Sequence, residues 1–185
     1  MRKSSCNLLT TKAQSSVLFD LSALNPNFRA HSQRGIGRYV EKLWSEFQRL
    51  LPNNSFIEGI DLSSKIQSKP LYKFVEKKVP VGKTTINRQI TSAFLIKKLA
   101  SKKIVHFPAH IDAPAFPLFP FIVTVLDLIP VVLKELYSVR KPSWRFALGR
   151  KLELQAIKSA RHIIAISKTT ARDVKEVLKI PEEKI

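Results

Sequence analysis

The chain has 185 residues, 44% of them hydrophobic, with 32 lysines and arginines against 14 acidic residues and a formal net charge of +18. That is enough for one well-buried globular domain. No apolar run reaches the roughly 20 residues of a membrane-spanning helix, because the longest candidate, Phe116–Leu133, is broken by Pro117, Pro120, Asp127 and Pro130.

Residues Met1 to Ser16 lack the apolar core of a secretory signal and read as a disordered leader. Cys6, the only cysteine, lies there, which excludes an intrachain disulfide and points to a reducing cytoplasm. Val17–Leu24 then mixes aliphatic residues with Phe19 and Asp20 and predicts a central strand, followed by a loop over Asn25–Ser32. From Ile36 the apolar residues Ile36, Tyr39, Val40, Leu43, Trp44, Phe47, Leu50 and Leu51 follow helical spacing, and Pro52 stops the helix. Ser55–Leu62 predicts a second strand. Residues Ser63–Thr85 show no clean period and read as a mobile basic excursion or a short helix about Leu71–Lys77.

Ile86–Leu99 carries a broad apolar face and predicts a helix; Ile104–Phe107 predicts a short strand, ahead of a proline-rich loop over Pro108–Pro120. Phe121–Leu126 predicts another strand, with Asp127 at its carboxyl edge. Pro142–Ala160 predicts a helix and His162–Ile166 a strand. Ser167 then caps a helix through Ala171, Val174, Val177 and Leu178, which Pro181 closes. Strands alternating with helices predict an α/β domain, Rossmann-like, with a mostly parallel sheet.

The charge excess is densest over Leu62–Lys103, where Lys73, Lys77, Lys78, Lys97 and Lys98 belong to a set of eleven basic residues facing only Glu76. A field of that strength fits nucleic acid or an anionic membrane surface, and solvated lysines without a partner are the plain alternative. Only Tyr72 and Phe74 lie beside the basic run as stacking platforms, which leaves a basic nucleic-acid-binding module as the rival reading.

Gln33-Arg34-Gly35-Ile36-Gly37-Arg38 stands between a strand and a helix, where free backbone N–H groups and the positive end of the helix favour phosphate, carboxylate or sugar hydroxyls. Val40 occupies the place of the third glycine of the dinucleotide fingerprint, so that signature is not met, and Gly35 and Gly37 could equally serve a tight turn and close packing. Among the four histidines, His106 reads as a core residue at a strand end. His110, on the loop at the carboxyl edge, is the better candidate for substrate contact. His106 and His110 have no further cysteine or paired acid nearby in sequence, so no metal site is expected. Asp20, Asp112 and Asp127 sit at or near strand ends, with local backbone bonding as the alternative for Asp20. The chain carries neither a Gly-x-Ser-x-Gly elbow nor a complete phosphate-binding P-loop.

Several of these segments, in order, resemble the group 1 (family 4) glycosyltransferases of GT-B fold. They are Val17 to Leu24 with Arg34 to Tyr39, Val125-Leu126-Asp127-Leu128-Ile129-Pro130, and Ala160 to Lys168. The resemblance covers nearly all of residues 17–185 and implies the N-terminal, acceptor-side domain of such an enzyme. It implies transfer of a sugar from a nucleotide-sugar donor to a lipid-linked or surface-polysaccharide acceptor, with retention at the anomeric carbon and no metal or other cofactor. It also implies a cytoplasmic protein, peripheral on the inner face of the cell membrane. By the same similarity Gly35, Ile36, Gly37 and Arg38 line the cleft near the donor phosphates, while His110 and Asp127 lie beside the reacting sugar as the catalytic pair. Leu126 stands where the family usually has histidine. The family continues into a second Rossmann domain that holds the donor nucleotide, so residues 1–185 alone are expected to be inactive, with a separately encoded second half as partner or a truncated or degenerate gene product as the two variants of this reading.

Overall fold

The computed structural model describes residues 16–26, 35–51, 56–70, 73–74, 93–133, 135 and 143–185. The expected leader up to residue 15, the 86–92 part of the expected helix, His31, Lys77 and Lys78 lie outside these residues.

Short runs of β-branched and aromatic residues form five strands: β1 (Ser16–Asp20), β2 (Ile57–Ile60), β3 (Lys103–Phe107), β4 (Phe121–Val125) and β5 (His162–Ala165). They make one sheet in the order β2-β1-β3-β4-β5, and every neighbouring pair is parallel. The helices whose bounds the described residues give are α1 (Gly35–Leu50), α2 (Leu62–Gln67), α3 (residues 93–99), α4 (Ile129–Val132), α5 (Trp144–Ser159) and α6 (Lys168–Leu178). This is the expected α/β architecture, a Rossmann-like half domain.

Alternation along β1 divides the core. Leu18 packs with Ile66 of α2 and Ile96 of α3, while the next residue, Phe19, packs with Val40 of α1. Phe19 stacks on Trp44 at 5.8 Å and meets Phe47 edge-on at 5.5 Å, so α1 docks through an aromatic cluster. Its expected apolar face is only partly covered: Leu50 and Leu51, at the C-terminal end, are exposed. A 16-residue helix is about 24 Å long, whereas a five-residue strand spans about 17 Å, so α1 outruns the strand it covers.

Two elements differ from the sequence reading. The first strand ends at Asp20 and does not run on to Leu24, because Asp20 Oδ1 accepts from Ser22 N (3.0 Å) and Ser22 Oγ and turns the chain into a 3-10 turn over Ser22–Leu24. The stretch after the second strand is not irregular at its start: Asp61 caps α2, accepting from Ser64 N at 3.0 Å. Six residues are too few for a period to show, and the Asp61-Leu62-Ser63-Ser64 cap was the available cue.

The C-terminal half follows the expectation closely. Ser143 caps α5 and Ser167 caps α6, each accepting from the backbone N–H three residues on, Phe146 N at 3.4 Å and Thr170 N at 3.1 Å. Lys179, in left-handed conformation at φ 55°, ends α6. Among the described residues no helix is long and apolar enough to cross a membrane.

Candidate functional site

In this strand order the chain passes from β1 to β2 on one side and then returns to β3 on the other, which places a topological switch between β1 and β3. In open parallel sheets, ligands bind beyond the carboxyl ends of the strands at such a point. All the parallel strands point that edge the same way, so Asp20, Asp61, His110 and Asp127 gather there from segments far apart in sequence.

Two of these aspartates serve the fold. Asp20 is buried; its Oδ1 accepts from Ser22 N and from Leu62 N at 3.4 Å, while Ser22 Oγ accepts from Ser63 N at 2.9 Å. The end of β1 is thereby fixed to the start of α2, which favours the local reading of Asp20. Asp61 accepts from Ser63 Oγ, Ser64 Oγ, Ser64 N and Asn25 Nδ2. Burial pushes its carboxyl upward, but these hydrogen bonds outweigh that and hold it below the ordinary value.

His106 also belongs to the interior. Its ring lies edge-on to Phe19 at 5.1 Å, and Nε2 is 2.9 Å from Thr124 Oγ1. Burial lowers its pKa to about 4, so the imidazole is neutral at physiological pH.

His110 is different. It opens the 3-10 turn His110–Asp112 just beyond β3 and is only 8% exposed. Its Nδ1 is buried without a hydrogen-bond partner, a state that normally costs about 1–3 kcal/mol and marks a place where a polar group is missing. Burial pushes its pKa down to about 4; Asp127 and Asp112 pull the other way, and Arg150 adds to the fall.

A cavity of about 310 Å³ opens at this histidine. Ile36 from the first turn of α1, His110 and Ile111 after β3, and Leu126 and Asp127 after β4 line it, and α5 closes it with Arg150 and Glu153. Three sequence-predicted residues, Ile36, His110 and Asp127, thus meet in one cavity. Asp127 is exposed, and its Oδ1 accepts from Ile129 N at 3.2 Å. The loop carrying His110 is pinned from α5, where Ser159 Oγ donates to Ala115 O at 2.9 Å.

The other predicted positions are placed differently. Gly35 opens α1 with empty space where a Cβ would stand, so neighbouring atoms do not require glycine there. Gly37 is buried, as close helix packing would have it, and Arg38 is exposed. Neither Gly35, Gly37 nor Arg38 lines the cavity. Lys73, Lys97 and Lys98 are exposed.

Arg150 and Glu153 are site residues that the sequence did not disclose as such. Their side chains are 3.4 Å apart and mostly buried, and the guanidinium stands 5.7 Å from the centre of the Phe146 ring. Their three-residue spacing marks a shared helix face, but nothing local says that this face crosses the edge of β3 and β4. Among the described residues, no group of three or more His, Cys, Asp or Glu converges as a metal-binding set.

The cavity can therefore offer a neutral imidazole, carboxylates, a guanidinium and an apolar wall to a small polar ligand. That combination suits hydroxyl groups in directed hydrogen bonds. No protein-family model matches this chain, and no curated protein or solved structure matches it either.

Proposed function

We propose that this chain is the acceptor-side domain of a retaining glycosyltransferase, and that the cavity at His110 and Asp127 receives a sugar. The observation that carries the reading is the unpartnered, buried Nδ1 of His110 in a cavity shared with Ile36 and Asp127. The resemblance of Arg34 to Tyr39, Val125 to Pro130 and Ala160 to Lys168 to the group 1 glycosyltransferases supplies the reaction class.

In this account a sugar hydroxyl completes the hydrogen bonding of His110 Nδ1. A pKa near 4 makes this imidazole a poor proton carrier at neutral pH, so its role is to orient the sugar. The Asp127 carboxylate takes a second hydroxyl or the positive charge that develops at the anomeric carbon. The N-terminal turn of α1 has backbone N–H groups without intrahelical partners, and it brings Ile36 to the same cavity, so a donor phosphate approaching there meets the positive end of a 16-residue helix. In a GT-B enzyme the donor nucleotide is held by a second Rossmann domain, and transfer needs both domains. The basic surface of Lys73, Lys97 and Lys98 faces an anionic membrane in this reading.

Binding of a panel of saccharides and nucleotide-sugars to the 185-residue chain, by calorimetry, tests the proposal. One sugar class is expected to bind saturably, and His110→Ala and Asp127→Ala are each expected to weaken it about tenfold, the loss of one good hydrogen bond. Binding that is indifferent to both substitutions, or no binding by any member of the panel, refutes it.

A further inference from the structure

The chain as a whole is strongly basic, at +18, yet the charges around His110 run the other way. Asp127 and Glu153 line its cavity, and Asp112 acts on the imidazole from the same 3-10 turn. Against these three carboxylates stands one guanidinium, that of Arg150. Among the described residues no lysine lines the cavity. The reversal has a local origin in the sequence. Asp112 closes the turn that His110 opens, Asp127 follows β4, and Glu153 stands one helical turn after Arg150, on the face that α5 presents to the cavity.

Arg150 and Glu153, 3.4 Å apart, count together as a neutral pair, so the balance of these groups is negative. The imidazole does not offset it, because burial keeps His110 neutral. The remaining walls, Ile36, Ile111 and Leu126, are apolar, and a low-dielectric wall strengthens the field on whatever enters. Exposed lysines farther off are screened by salt over about 10 Å. Acidic groups alone could simply be solvated. The buried Nδ1 of His110, without a partner in the same cavity, is the separate sign that a ligand belongs there.

We propose that the sugar received by this cavity carries a primary amine, with one hydroxyl on His110 Nδ1 and the ammonium group against Asp127 and Glu153. This rests on the reading of the cavity as a sugar site and names the class of sugar. An ammonium group has three N–H donors and no acceptor, so it needs acceptors on several sides, which two carboxylates supply. Taking it out of water is costly unless it is paired and hydrogen-bonded. A neutral imidazole beside it adds no repulsion. A uronic acid would instead bring its carboxylate against Asp127 and Glu153, where like charges repel.

Calorimetric titration of the 185-residue chain at about pH 6.5 with glucosamine, glucose and glucuronate is the test, with cyclohexylamine as an amine without hydroxyls. Glucosamine is expected to bind at least about tenfold more tightly than glucose, because a charge-assisted hydrogen bond is about twice as strong as a neutral one. Glucuronate is expected to bind more weakly than glucose. Asp127→Asn keeps an oxygen that can accept from Ile129 N, so the turn after β4 survives, and is expected to shrink the glucosamine-to-glucose ratio about tenfold. Glu153→Gln leaves the Arg150 guanidinium without the Glu153 charge and is expected to raise glucuronate affinity while lowering that of glucosamine. Equal binding of the three saccharides, tighter binding of glucuronate, or an unchanged ratio in Asp127→Asn overturns the amine selection and leaves the sugar cavity standing. Binding of cyclohexylamine without any saccharide overturns the sugar cavity and leaves an ammonium site. Binding by none of the four overturns both.

Discussion

Acidification is the perturbation that reports most directly on the two buried histidines. His106 and His110 both have folded-state pKa values pushed down from 6.5 to about 4, in each case chiefly by burial. Between pH 6.5 and 4 the unfolded chain therefore binds protons that the folded chain refuses, so stability is complete above pH 6.5 and falls as pH drops toward 4. At about pH 5 each histidine accounts for a loss of about 2 kcal/mol, and the pair for about 4 kcal/mol. That is a large part of the 5–15 kcal/mol typical of a domain. Asp61, whose carboxyl lies below its ordinary value, contributes only at lower pH and does not obscure the window. Urea unfolding followed by circular dichroism at pH 7.5 and 5 is the assay. His110→Asn is expected to remove about half of the difference between the two midpoints, and His106→Gln about the other half. Equal stability at both pH values in the wild type, or the same pH loss in both variants as in the wild type, would refute the burial argument.

Gly59 on β2 leaves no room for a methyl group: a Cβ there would stand 2.5 Å from Trp44 Cζ2 and 2.9 Å from Leu21 Cδ1. Gly59→Ala is expected to cost about 1–3 kcal/mol by forcing Trp44 off Phe19, and clearly less in a Trp44→Ala background, which a double-mutant cycle in urea measures. Asp61→Ala removes the cap of α2 and the anchor of Asn25, with an expected loss of about 1–2 kcal/mol in the same assay. Lys97→Glu with Lys98→Glu reverses charge at two exposed positions. In sedimentation with anionic vesicles at low salt it should weaken binding by more than an order of magnitude, at about 1 kcal/mol per basic residue, while leaving sugar affinity unchanged.

The parts of this molecule that were legible in the sequence share one property: their signals are local and repeated. The helical face of α1, the serine cap of α6, and the apolar runs of β3, β4 and β5 each state their structure within a dozen residues. Strand β1 is shorter than its apolar run, because Leu21, Ala23 and Leu24 are as apolar as the strand itself and what ends it is the bond that Ser22 N donates to Asp20 Oδ1. Helix α2 is not legible in the sequence, because six residues carry no measurable period.

The site was half legible for a similar reason. His110 and Asp127 follow strands, so parallel topology alone brings them to one edge. Arg150 and Glu153 come from the middle of a helix, and only the packing of α5 against the His110 loop, through Ser159 and Ala115, delivers them. Of the glycine segment, Ile36 lines the cavity, Gly37 is buried and Arg38 is exposed.

Long-range proton–nitrogen correlation spectra of the histidine rings test the proposal that a sugar hydroxyl bonds His110 Nδ1. With His110→Asn used for assignment, the account predicts a neutral His110 ring down to about pH 4. It further predicts an Nδ1 resonance that moves on saturation with the bound sugar while His106 stays still. A His110 that titrates near 6.5, or whose Nδ1 is unmoved by every saccharide and nucleotide-sugar, would contradict it.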